Sequence, residues 1–305
     1  MKKLLTLMMV MLIVVLVACA DSSSTDSTET DDTGDVETSE GAEDVENEES
    51  DAASEITLEE VYEKAIERQN EINSMSADIV MDQNIVLDES GETFEMKSNS
   101  NLQSDFTIDP VASYMHGTVT AFDPMSEQEI ELETEMYMLE DAFYMYDSEG
   151  DQWLEFPLEG MEAVLGQSAQ QIDATEQLEL LESIISEFSL EEEGDEYILK
   201  LDAAEDKFTE FVIEEMKALQ SVGITEAEED IINLINYDKV SYVLKINKDT
   251  YDMTAMDLVL NMTLEEGDES LVMNTDTKIT FSNFDGIDAI EVPQEVVDEA
   301  VPVEY

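Results

Sequence analysis

Met256-Asp257-Leu258-Val259-Leu260-Asn261-Met262-Thr263-Leu264 puts an apolar side chain at every second position, breaks at Glu265-Glu266-Gly267-Asp268, and resumes at Leu271, Met273, Ile279 and Phe281. A period of two is the pattern of a strand with one buried face, and a short polar break containing glycine is a hairpin turn. Upstream, Val240, Tyr242, Leu244 and Ile246 keep the same spacing. Three long antiparallel strands are therefore predicted, and their shared apolar face needs a covering layer.

The same period recurs nearer the N-terminus, where Ala77, Ile79, Met81, Ile85 and Leu87 share one parity and Asp78, Asp82 and Asn84 the other. Glu89-Ser90-Gly91-Glu92 supplies a turn, and Phe94, Met96 and Leu102 mark the returning strand. Strand-like segments follow at Tyr114 to Phe122, Ile130 to Leu139, Ala142 to Tyr146 and Gln152 to Phe156. The acidic link Asp147 to Asp151 lacks the spacing and terminal bidentate Glu of a calcium loop, so it reads as a hairpin turn. Another hairpin is expected from Phe188 to Leu201 around Glu193-Gly194-Asp195.

Helical spacing appears in three places. Thr57-Leu58-Glu59-Glu60 has the capping-box pattern, followed by Val61, Tyr62, Ala65, Ile66 and Ile72. Met161, Val164, Leu165, Leu178, Leu181, Ile184 and Ile185 suggest a second helical region, and Phe208, Phe211, Val212, Met216 and Leu219 a third. Helices over 57–73, 157–185 and 204–222 supply the cover. The predicted class is α+β, a curved antiparallel sheet with helices packed on one face.

Charge and rare residues exclude much. The 305 residues include 78 acidic against 12 basic, a net charge of −66, which repels nucleic acid and bare anionic head groups. With one His and one Cys, Cys/His zinc sites and Cys–His catalysis are not expected. His116 reads as structural, and acidic pairs such as Glu127/Glu129 and Glu131/Glu133 are expected by chance in so acidic a chain. No catalytic residue, metal or cofactor is expected, and the chain is not read as an enzyme. The acidity reads as adaptation to a saline or alkaline habitat, with binding of cations or of a basic partner as the competing cause.

The N-terminus gives the address. Lys2 and Lys3 precede the uncharged apolar run Leu4 to Val17, which is too short for a comfortable membrane span. It ends in Leu16-Val17-Ala18-Cys19, which resembles a bacterial lipobox. In the lipoproteins this resembles, the thiol of that cysteine carries a diacylglyceryl group and cleavage makes it the mature N-terminus. Residues 1–18 are thus read as a lipoprotein signal peptide and Cys19 as the anchor on the outer face of the cell membrane. Ala20 to Glu55 holds no Lys, Arg or aromatic residue, so 19–55 is read as the lipidated Cys and a disordered acidic tether. The folded domain is 56–305.

The lipobox, acidic tether, leading helix, long strands, the Tyr144-Met145-Tyr146 to Gln152-Trp153 hairpin and the closing Phe281-Ser282-Asn283-Phe284 and Ile290-Glu291-Val292-Pro293 follow one another in an order that resembles an uncharacterised domain family. The chain resembles those surface lipoproteins of low-GC Gram-positive bacteria, whose fold is similar to LolA and the LppX/LprG lipoproteins. The resemblance implies a half-barrel that holds an acyl chain or another lipid against its helices. Methionine supports a cavity of that kind: of 18 in the chain, four belong to the leader, and flexible thioethers suit mobile ligands as well as ordinary cores. Met81, Met96, Met138, Trp153, Phe211, Met256, Leu258, Met262 and Met273 are the candidate cavity residues. The expected function is an envelope lipoprotein binding a lipid or other hydrophobic ligand. The alternative is a non-enzymatic interaction or regulatory lipoprotein with a solid core, its protein partner unknown.

Overall fold

The computed structural model describes residues 56–303 apart from 90, 124–127, 140, 149, 157–180, 182–183, 204–233 and 268. The leader, Cys19 and the tether lie outside the described residues, as do the helix expected over 204–222, with Phe211, and most of that over 157–185.

Among the described residues twelve strands form one sheet. They are β1 (Ser74–Glu89), β2 (Glu92–Ile108), β3 (Val111–Asp123), β4 (Gln128–Leu139), β5 (Phe143–Asp147), β6 (Gln152–Phe156), β7 (Ser189–Glu193), β8 (Glu196–Ala203), β9 (Ile235–Asn247), β10 (Met253–Glu266), β11 (Glu269–Ser282) and β12 (Val301–Pro302). Their order is β12-β6-β5-β4-β3-β2-β1-β11-β10-β9-β8-β7. Two antiparallel meanders, β1 to β6 and β7 to β11, meet at a central seam where Ala77 stands opposite Phe281 and Ile85 opposite Met273. Only β12 is parallel to its neighbour, β6.

Register joins the parities read strand by strand into one face. Met256, Leu258 and Met262 oppose Ile279, Thr277 and Met273. Those oppose Ile79, Met81 and Ile85, which in turn oppose Leu102, Ser100 and Met96 on β2. A one-residue slip anywhere would turn a whole strand's apolar set to water, so the pattern fixes the pairing.

The apolar face carries the main core. Helix α1 (Leu58–Gln69) starts as the capping box requires: Thr57 Oγ1 accepts from the Glu60 N–H at 3.2 Å and Glu60 Oε2 accepts from the Thr57 N–H at 3.0 Å. It ends at Gln69, earlier than the apolar spacing up to Ile72 suggested, because the chain must turn at Asn70 and Glu71 to enter β1. Val61, Tyr62 and Ala65 are buried in a cluster with Leu244, Ile246, Met253 and Phe281, and Leu181 is buried there too. The Ile185–Glu187 stretch is a short 3-10 turn.

Arg68, in the last turn of α1, ties the helix to the seam. Its Nε donates to Asp252 Oδ1 at 2.7 Å and its Nη2 to Asp285 Oδ2 at 3.0 Å. Asp285 Oδ1 also accepts from the Asn73 N–H at 2.8 Å. That backbone bond, with Arg68 beside it, holds the Asp285 carboxyl below the usual carboxylate range.

The C-terminal segment then crosses the polar face. Ile290, Val292, Val296 and Ala300 pack on Tyr114, Tyr137, Tyr144 and Trp153, with the short helix α2 (Gln294–Glu299) at the centre of the contact. Tyr114 donates to Glu135 Oε1 at 2.9 Å and stacks on Tyr137 at 4.5 Å. β12 covers the edge of β6, while β7 at the other end carries Glu191, Glu192 and Glu193, charges that discourage pairing with another chain.

Candidate functional site

The apolar face is one surface with two kinds of lining. Over β8 to β11 most of it is sealed: Leu199, Leu244 and Ile246 are 0% exposed and Met256, Met262 and Met273 are buried, while Leu258, Leu260 and Ile279 are half-buried. Over β2 to β6 the same face stays half open. Met96, Leu102, Met115, Val119, Leu132 and Met136 are half-buried, and Phe94 and Ile130 are 50% and 39% exposed.

A row of small residues runs under this open wing. Ser98, Ser100 and Ser104 of β2 occupy core-facing positions opposite Ala121, Val119 and Met115 of β3. Gly117 lies opposite Leu102, and a Cβ there would stand 2.1 Å from the Asn101 carbonyl oxygen, so β2 and β3 approach each other as only glycine allows. Ser100 and Ser104 are themselves buried, 4% and 2% exposed. Serines at apolar parity and a glycine inside a strand are the sequence signals of this row.

The candidate cavity residues separate accordingly. Met81, Met96, Met138, Met256, Leu258, Met262 and Met273 share the apolar face; the first three and Leu258 are half-buried, and the other three are buried core. Trp153 stands on the opposite face against Tyr137 and Tyr146, beneath the C-terminal segment.

The surroundings of the other residues considered in the sequence are as follows. His116 lies beside Tyr114, ring centroids 5.2 Å apart. The Asp147 to Asp151 link is a hairpin turn, with Asp147 Oδ1 accepting from the Gly150 N–H at 3.1 Å and Tyr146 donating to Asp151 Oδ1 at 2.6 Å. Among the described residues no group of three or more His, Cys, Asp or Glu could hold a metal ion. Burial pushes the Tyr237 hydroxyl up to about 12, so it stays neutral at any physiological pH. What the open wing presents, among the described residues, is apolar side chains within reach of solvent.

Comparison with known proteins gives the following. No curated protein matches the chain. It is similar to the crystal structure of LprF from Mycobacterium bovis, at 10% identity over 77% of this chain and 95% of that one, with a TM-score of 0.35. It is also similar to a LolA superfamily protein from Nitrosomonas europaea, at 13% identity over 79% and 97% of the two chains, TM-score 0.21. A DUF1329 family protein from Desulfovibrio piger aligns at 12% identity over 74% and 92%, TM-score 0.22. Residues 57–301 match a family of unknown function (DUF6612), and the chain belongs to that family.

Proposed function

We propose that the protein is a membrane-anchored extracytoplasmic lipoprotein whose domain binds a lipid or another hydrophobic ligand on the open wing of its apolar face. The supporting observation is the contrast along that face, mostly sealed over β8 to β11 and half open over β2 to β6, where Phe94 and Ile130 are exposed. Half-buried Met96, Met115 and Met136 with the exposed Phe94 and Ile130 form a surface on which an acyl chain would be buried at roughly 0.8 kcal/mol per methylene.

The anchor in this reading is diacylglyceryl-Cys19, which would meet the two-chain requirement for stable membrane attachment, with 19–55 as the acidic tether and 56–305 as the domain. The acidic surface serves solubility in salt.

Native mass spectrometry of the full chain purified from its host, followed by organic extraction, tests the proposal. A stoichiometric co-purifying lipid is expected. A clean apo mass, with no uptake of a fluorescent fatty acid at high salt, would overturn it in favour of an interaction lipoprotein with a solid core.

A further inference from the structure

A second concavity lies on the polar face, away from the apolar wing. It encloses about 470 Å³, within the roughly 300–1,000 Å³ of small-molecule sites, and runs from Glu129 on β4 to Val259 and Asn261 on β10. Its lining therefore spans six neighbouring strands, which a flat sheet could not gather round one space.

Register arranges the polar side chains in two rows. Asn84, Asn274 and Asn261 face one another on β1, β11 and β10. In the neighbouring row Thr120, Asn99, Asp82, Asp276 and Val259 cross from β3 to β10. Rungs within a row are about 4.8 Å apart and the rows about 6.8 Å apart. Part of this grid is already braced: Asn101 donates to Asn99 Oδ1 at 2.8 Å, and Asn99 donates to Asp82 Oδ1 at 2.7 Å. The rest is unspent. Among the described residues Asn261 and Asn274 make no side-chain hydrogen bond although both are half-buried, and the side-chain oxygen of Asn84 is buried without a partner. The buried Asn84 oxygen lacks a partner in the fold, and the partly exposed amides of Asn261 and Asn274 are free to exchange water for a ligand.

The chemistry of that partner follows from the mixture. Lys97, opposite Asn84, is the groove's one cation among the described lining residues and is paired with Glu95 at 2.8 Å. A bare cation would use the carboxylates and leave the amide donors idle, and an anion would meet Asp82, Asp276 and Glu129 in a chain of net charge −66. A neutral molecule with many hydroxyls can accept from the asparagines and donate to the carboxylates at once. Phe122, 37% exposed at one end of the groove, offers a ring face for the C–H face of a sugar. We propose that this groove binds a neutral oligosaccharide.

The test is an array of neutral and acidic oligosaccharides probed at high salt with the full chain, in a detergent without a sugar head group. Sedimentation with protein-free cell wall runs in parallel. Neutral glycans are expected to bind and acidic ones not. Asn274→Ala and the isosteric Asn261→Asp should each weaken binding at least tenfold while leaving the unfolding temperature and any bound lipid unchanged. Binding of free oligosaccharides alone would identify a soluble sugar, and binding to wall as well a wall glycan. No neutral glycan bound at millimolar concentration, or binding indifferent to both variants, would overturn the proposal.

Discussion

The two wings of the apolar face are built on the same alternation and end in different states. Over β8 to β11, Leu199, Leu201, Leu244 and Ile246 disappear under α1 and its neighbours, and over β2 to β6 equally apolar positions such as Phe94 and Ile130 stay in reach of solvent. A period of two tells which face a residue joins, not what lies over it. The closed wing is where folding energy is concentrated; the open wing is where apolar surface remains for something else.

Substitution pairs can break this contrast. Leu244→Ala should cost about 2–5 kcal/mol, because its cavity opens inside a sealed core, whereas Leu132→Ala on the open wing should cost about 1 kcal/mol or less. Urea midpoints for the two variants measure the difference, and equal losses would mean that both wings are core. Next in size is Gly117→Ala, expected to cost roughly 1–3 kcal/mol through the clash with the β2 backbone, with faster amide exchange in β2 and β3 and little change in β9 and β10.

The smallest effect concerns the clasp at the seam between the wings. Because the Asp285 carboxyl is held below its ordinary value of 3.8, its contribution is present above that pH and is lost as pH falls through the lowered value. Asp285→Asn should therefore be less stable than the parent at pH 7, and the gap should close as the pH drops below about 3.8. The effect is modest because Asp285 is exposed and screened by salt. Denaturation curves at several pH values follow it, and a gap that widened in acid would remove Asp285 from the clasp.

Strands were legible in the sequence because long half-buried strands announce themselves twice per turn of the pleat: the Met256 to Leu264 and Ala77 to Leu87 alternations lie within β10 and β1. Thr57 and Glu60 likewise marked the start of α1 before any coordinate did. The seam between β1 and β11 was not legible, since nothing local in Ala77 specifies Phe281 as its partner. The six-residue α2 is too short to show a helical period, and Val292-Pro293 read as a plain apolar terminus. Asn84, Asn261 and Asn274 looked like unrelated solvent-facing residues, because only the register of three strands brings them into one row. Trp153, grouped by its apolar character with the methionines, goes to the other face because it sits opposite Tyr146, out of phase with Met145.

Photo-cross-linking with a diazirine analogue of palmitate, applied to the full chain and mapped by peptide mass spectrometry, bears most directly on the open wing. Labels concentrated on β1 to β6, around Met96, Leu132 and Met138, are the predicted result. Labels confined to β7 to β11, or no labelling above that of an unrelated acidic protein, would contradict a ligand site on the open wing.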